Sequence, residues 1–178
     1  MDFKLKMWEI SDKSILAKLC NEINREYLSN RIPYPYTEDD AIWWINMANE
    51  QEGKEGIFRA IIVDGKYVGN ISVEKKSDVS CKDAEIGYLL LTEKWSNGIM
   101  TKAVKEICEM AFDKLDIVRI TGLVYKPNIA SQRVLEKNDF VLEGIMKNAV
   151  FKNGNIYDMC IYGKYVNSNL SIKDKEQF

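Results

Sequence analysis

Histidine is absent from all 178 residues. That removes Ser-His and Cys-His nucleophile pairs and any His-ligated zinc, because each needs an imidazole as base or ligand. Cysteine is sparse: Cys20, Cys81, Cys108 and Cys160 are scattered without a Cys-x-x-Cys pair. They read as reduced packing residues of an intracellular protein, not as metal ligands or disulfide partners. No window approaches the ~18 apolar residues of a membrane-crossing helix. The opening Met1-Asp2-Phe3-Lys4 also lacks the apolar run of a secretory signal. A cytoplasmic chain with no membrane partner is therefore expected. Neither sign of charge dominates, since 25 basic and 27 acidic residues leave a formal net charge of −2. The general basic face of a nucleic-acid binder is accordingly not expected.

What is present fits one globular α/β domain over residues 1–166, followed by a polar, charged tail over 167–178 that should fray. Alternation of apolar and polar residues predicts a first strand over 4–9. Ser11 and Asp12 offer a helix cap, and Ile15, Leu16, Leu19, Ile23, Tyr27 and Leu28 form the stripe of the helix that follows. Pro33 and Pro35 rule out a continuous helix. Thr37 then caps a second one, with Glu38, Asp39 and Asp40 placed favourably against its dipole. That helix carries Ile42, Trp43, Ile45 and Met47. Strands are predicted over 56–63 and 67–73, joined by the Asp64-Gly65 turn, and over 83–91. The longest helix runs over 98–114, with Ala103, Val104, Ile107, Cys108, Ala111 and Phe112 on one face. A strand over 118–124, a short helix over 129–138, and a hairpin of 140–150 with 156–165 around Asn153-Gly154 complete the order β-α-α-β-β-β-α-β-α-β-β. Early and late strands should be antiparallel, and the central β-α-β unit should supply one parallel pair.

Between the 83–91 strand and the long helix the chain reads Trp95-Ser96-Asn97-Gly98-Ile99-Met100-Thr101. A helix N-terminus presents unpaired N–H groups and partial positive charge, and it binds phosphate where side chains allow close approach. Gly98 removes the side chain at the tightest point, while Ser96, Asn97 and Thr101 can donate or cap. With a single glycine, the segment reads equally as an ordinary turn and cap.

The segment resembles the acyl-CoA-binding motif of the GNAT N-acetyltransferase superfamily, Arg/Gln-x-x-Gly-x-Gly/Ala. Gly98 matches the first glycine, Met100 replaces the second small residue, and Trp95 stands at the Arg/Gln position as in the RimJ/RimL-type branch. Three further segments resemble that branch in the same order. They are Pro33 to Thr37 with Asp40-Ala41 and Trp43-Trp44-Ile45, then Ala84 to Tyr88, then Asn128-x-x-Ser131-x-Arg133 through Lys137 with Phe140 to Gly144. Together they run over about 3–165.

The resemblance implies a single GNAT-like domain of α/β (α+β) class. Its central twisted sheet is mixed, mostly antiparallel and flanked by helices, with splayed parallel strands at the cofactor site. It implies an acyltransferase that passes acetyl from acetyl-CoA to a primary amine by direct attack in a ternary complex, with CoA as product. The acceptor would be a peptide N-terminus or a small molecule, and the family analogy extends to a homodimer. Cofactor contacts fall on the backbone of Leu89, Leu90 and Leu91, on residues 95–101, and on Asn128, Ser131, Arg133 and Lys137. Ser131 becomes the hydroxyl near the sulfur, because Leu135 occupies the place of the family's usual tyrosine acid. Glu85 is the candidate proton acceptor, with solvent as its rival. Tyr34, Tyr36 and Trp43 are candidates for walling the acceptor site, although aromatics at helical spacing also read as core. Asn128 also reads as a helix cap, Arg133 and Lys137 as a solvated face, and Glu85 as an exposed strand carboxylate. Asp139 replaces the family's glycine where positive φ is expected. The departures at Met100 and Leu135 also fit a second reading, a catalytically degenerate domain that binds CoA as a sensor or interaction module.

Overall fold

The computed structural model describes residues 1–166; the expected frayed tail lies outside the described residues. Seven strands form one sheet: β1 (Phe3–Lys6), β2 (Gly56–Val63), β3 (Lys66–Lys75), β4 (Asp83–Leu90), β5 (Arg119–Tyr125), β6 (Val141–Lys152) and β7 (Asn155–Tyr165). Four helices accompany them: α1 (Lys13–Glu22), α2 (Glu38–Gln51), α3 (Ile99–Lys114) and α4 (Ile129–Glu136). The strand order is β1-β2-β3-β4-β5-β7-β6. Every neighbouring pair is antiparallel except β4–β5. The expected element order and the single parallel pair are both found.

Both faces of the left half of the sheet are covered. One face packs on α3 and α4, where Ile57, Ile61, Ile71, Val73, Ala84, Ile86 and Ile120 meet Ala103, Val104, Ile107, Ala111 and Leu135. The opposite face at β2 packs on α1 and α2, where Ala60 and Ile62 meet Leu16, Leu19, Ala41 and Ile45. Burial on both faces is why β2 does not alternate: every position is buried, and its one charged residue, Arg59, is paired with Glu52 at 2.6 Å.

Four expectations change. Strand β1 stops at Lys6, because Glu9 and Asp12 close a capping box over a 3-10 turn at Ile10–Asp12. Helix α1 stops at Glu22 and does not include Tyr27 and Leu28. There the Arg25 guanidinium bonds the carbonyls of Cys20, Ile32 and Pro33, and Asn21 exchanges two bonds with the Tyr36 backbone. Arg25 thereby takes the Cys20 carbonyl, which another helical turn would have used, and ties the end of α1 to the loop that follows. On α2 the inward residues are Ala41, Ile45 and Ala48, while Trp43 faces outward. Cys20, Cys108 and Cys160 are buried as expected, but Cys81 is exposed in the turn before β4.

Strand β4 pairs with β5 at only four positions, Asp83 to Ile86 against Arg119 to Gly122. Yet β4 stays paired with β3 out to Leu90, and β5 with β7 out to Tyr125. Past Ile86 and Gly122 the two strands part, leaving a wedge whose open end faces the start of α3.

Candidate active site

The wedge opens onto the loop 91–98. A 3-10 turn at Thr92–Lys94 leads into Trp95, whose indole Nε1 donates to the Leu90 carbonyl at 3.0 Å. Asn97 bonds the Trp95 carbonyl at 2.9 Å, so its side chain braces the loop. Two left-handed residues turn the chain, Ser96 at φ 61° and Gly98 at φ 74°. A Cβ at Gly98 would meet nothing within 4 Å, so its glycine character serves the backbone angle. Helix α3 has no side-chain cap, and its first backbone bond runs from Lys102 N–H to the Gly98 carbonyl at 3.1 Å. Among the described residues, the N–H groups of 96–101 therefore find no backbone or side-chain acceptor. They lie at the positive end of a sixteen-residue helix. The Ile99 and Met100 side chains are buried in the core, so only their backbone is available to a ligand. The carbonyl of Thr101 accepts from Asn138.

Of the three leucines, Leu89 and Leu90 are buried. The Leu91 N–H is already given to the Val68 carbonyl, and the Leu90 carbonyl to Trp95. The Leu91 N–H is thereby removed from the expected set of cofactor contacts, since β3 consumes it.

The far wall of the wedge is the first turn of α4. Asn128 is its cap, with Oδ1 accepting from the Ser131 N–H at 3.2 Å, so its NH₂ end remains for other partners. The Ser131 hydroxyl lies 2.6 Å from the Tyr88 phenol oxygen. Tyr88 comes from β4 on the α3/α4 side, where Ala84, Ile86 and Leu90 also point, and it crosses the wedge to reach α4. Burial pushes its phenol up to about 12. Helix α4 sits this close because Gly122 lets it: a Cβ there would lie 2.6 Å from Leu135 Cδ1. Leu135 is itself sealed in the core.

Glu85 lies on the opposite face of β4, beside the apex of the wedge. It is half-buried and directly opposite Glu74 on β3. Glu74 is bonded by Ser72 at 2.9 Å. Nearby Asp83 accepts from Thr121, and Arg119 joins Glu143 to Asp83. Arg133 and Lys137 are exposed on α4. Lys137 lines a groove with Lys105 and Lys164.

The aromatic trio expected at the acceptor site is not assembled. Tyr36 is 8% exposed in the α1/α2 core, because its backbone is pinned by Asn21. Tyr34 is 72% exposed beneath the Arg25 guanidinium, and Trp43 is 68% exposed on the outer side of α2. The rings that do meet beside the wedge are Tyr27, Tyr125 and Tyr157. Sequence reasoning missed these, and it gave Tyr88 no role. Strand parity was the available signal for Tyr88, since residue 88 shares a face with 84, 86 and 90.

Residues 3–141 match the acetyltransferase (GNAT) domain family. The chain belongs to the GNAT family. Within it, the chain is 36% identical to the probable N-acetyltransferase YjcK of Bacillus subtilis over 108 residues, 61% of this chain and 59% of that one. It is 26% identical to the ribosomal-protein-serine acetyltransferase of Escherichia coli over 161 residues, 88% of each. The matches to three Bacillus subtilis relatives span 45% to 59% of those proteins' length. Among solved GNAT structures, RimL, a ribosomal alpha-N-protein acetyltransferase in complex with coenzyme A, superposes with a TM-score of 0.82. It is 22% identical and covers 92% of this chain and 94% of that one, a likeness that establishes the fold. No described helix is long and apolar enough to cross a membrane.

Proposed function

We propose that this chain is an acetyl-CoA-dependent N-acetyltransferase that passes acetyl to a primary amine, on a protein N-terminus or a small molecule, by direct attack in a ternary complex. The observation that carries this reading is the wedge between β4 and β5 opening onto the uncapped N-terminus of α3. Six unpaired N–H groups beside a positive helix end suit a diphosphate, and unpaired strand edges suit the amides of an extended pantetheine arm. Bound acetyl-CoA supplies the activated acyl group. The chain's own groups then divide the remaining work. The loop 95–101 holds the phosphates, and exposed Arg133 and Lys137 add positive charge nearby. Asn128 offers its free NH₂ to the arm. Ser131 holds a hydroxyl in the wedge for the departing sulfur, and Glu85, at the apex on the other face, takes the proton of the attacking amine.

Relatives named for ribosomal-protein and amino-acid acetylation support both acceptor classes. Asp83 is already paired with Lys76 and Arg119, but Glu74 and Glu85, opposite each other beside the apex, favour an acceptor that arrives as a cation. The test is free-thiol release from acetyl-CoA with peptides opening in Ser or Ala, set against a panel of small amines. Release with one class identifies the acceptor. No release with any amine, together with CoA binding by calorimetry, would move the chain to the degenerate, ligand-binding reading.

A further inference from the structure

The Tyr88 phenol and the Ser131 hydroxyl lie 2.6 Å apart, and the proton between them can belong to either oxygen. The surroundings decide which. Buried among apolar side chains, the phenol is pushed up to about 12, so both hydroxyls stay protonated across the physiological range and the acceptors open to each set the direction. The phenol proton has two acceptors in reach, Ser131 Oγ at 2.6 Å and the Ser131 carbonyl at 3.4 Å. The nearer one is the only one at a good O–H···O distance. With Tyr88 donating to Oγ, the serine's own proton cannot point back at the phenol. The Asn128 carbonyl-type oxygen is occupied by the Ser131 N–H. Among the described residues, no other acceptor approaches the serine hydroxyl, and the direction left to it is the wedge.

We propose that Tyr88 is a positioning residue whose hydroxyl, 2.6 Å from Ser131 Oγ, fixes Ser131 as a hydrogen-bond donor into the wedge between β4 and β5, aimed at the sulfur of the cofactor. This rests on the acetyltransferase reading above. Tyr88 does not deliver the proton itself, because a phenol held near 12 is a weaker acid than an ordinary thiol. Its contribution is to remove the serine's freedom to rotate, so that the donor is already oriented when negative charge develops on sulfur. A donor aimed at sulfur should also favour the thiolate form of bound CoA.

The experiment compares Tyr88→Phe, which keeps the ring and loses only the hydroxyl, with Ser131→Ala, Ser131→Thr and the Tyr88→Phe/Ser131→Ala double variant. Two readouts are taken: steady-state kinetics, and the thiol pKa of enzyme-bound CoA from thiolate absorbance. With Tyr88→Phe, kcat falls about tenfold while KM for acetyl-CoA holds. The double variant is no slower than Ser131→Ala alone. Bound-thiol pKa rises in Tyr88→Phe and more in Ser131→Ala, and Ser131→Thr restores it. If Tyr88→Phe turns over like the unaltered protein, or if the two losses multiply, the inference is overturned while the acetyltransferase reading stands. If the unaltered protein binds CoA but acetylates nothing, the acetyltransferase reading falls and the thiol pKa alone decides. A rise in both variants supports the Tyr88 role, and no change overturns it. If CoA does not bind, both fall.

Discussion

At the scale of single residues, side chains that look alike in the sequence have very different surroundings. Burial pushes the Cys20 and Cys108 thiols up to about 12, and Cys160 is also raised by burial, whereas Cys81 is exposed. An aromatic disulfide reagent should therefore titrate one thiol rapidly in the folded protein and all four after denaturation; two or more fast thiols would contradict the burial pattern. Asp158 is held down to about 2, first by the Asn148 N–H and then by Lys147 and Lys126. A carboxyl depressed in this way favours the folded state only while ionised. Its contribution is complete above pH about 4 and is lost as the pH falls towards 2. Thermal melts should show Tm dropping through that window, and Asp158→Asn should lower Tm at neutral pH and flatten the drop. An equal slope in the variant would assign the acid sensitivity to other carboxylates.

Among elements, the packing of α4 sets the site, and a glycine governs it. Gly122 leaves room for Leu135 against β5, which brings Ser131 to the wedge and Tyr88. Gly122→Ala should cost about 1–3 kcal/mol in denaturant melts through overpacking. Because α4 would be displaced, its acetyl transfer should fall further than that loss of stability explains; normal turnover in the variant would show that α4 has slack.

Much of this level was legible in the sequence. The Thr37 cap closes a box with Asp40, the turns at Asp64-Gly65 and Asn153-Gly154 carry positive φ, and Asp139 sits at φ 63° where a glycine was expected. Such features are local, written in propensity and turn chemistry. The end of α1 was not legible, because Tyr27 and Leu28 continue its apolar period. The competing carbonyl ligand, Arg25, acts through a loop that only the tertiary structure brings round. Tyr36 was misplaced for a related reason: side-chain type marks an aromatic as useful, but its direction depends on Asn21, fifteen residues earlier.

For the whole molecule, the parting of β4 from β5 leaves backbone groups and apolar surface that a ligand would cover. CoA at about a hundred times its Kd should add about 2.7 kcal/mol of stability, a rise in Tm of roughly 5–10 °C for a chain of this length. Scanning calorimetry with and without CoA measures this directly. An unmoved Tm at millimolar CoA would mean that the folded chain does not bind it.

The four residue pairs that join β4 to β5 act as the spine of a book whose two leaves are held at their outer edges by other strands. Extending the spine by one more pair, Gly87 onto Leu123, would satisfy backbone groups now left open and tighten the sheet. It would also shut the book on the page that is read. Cohesion and chemistry compete here for the same N–H and C=O groups, so substitutions that stabilise this seam should be the ones that silence the protein.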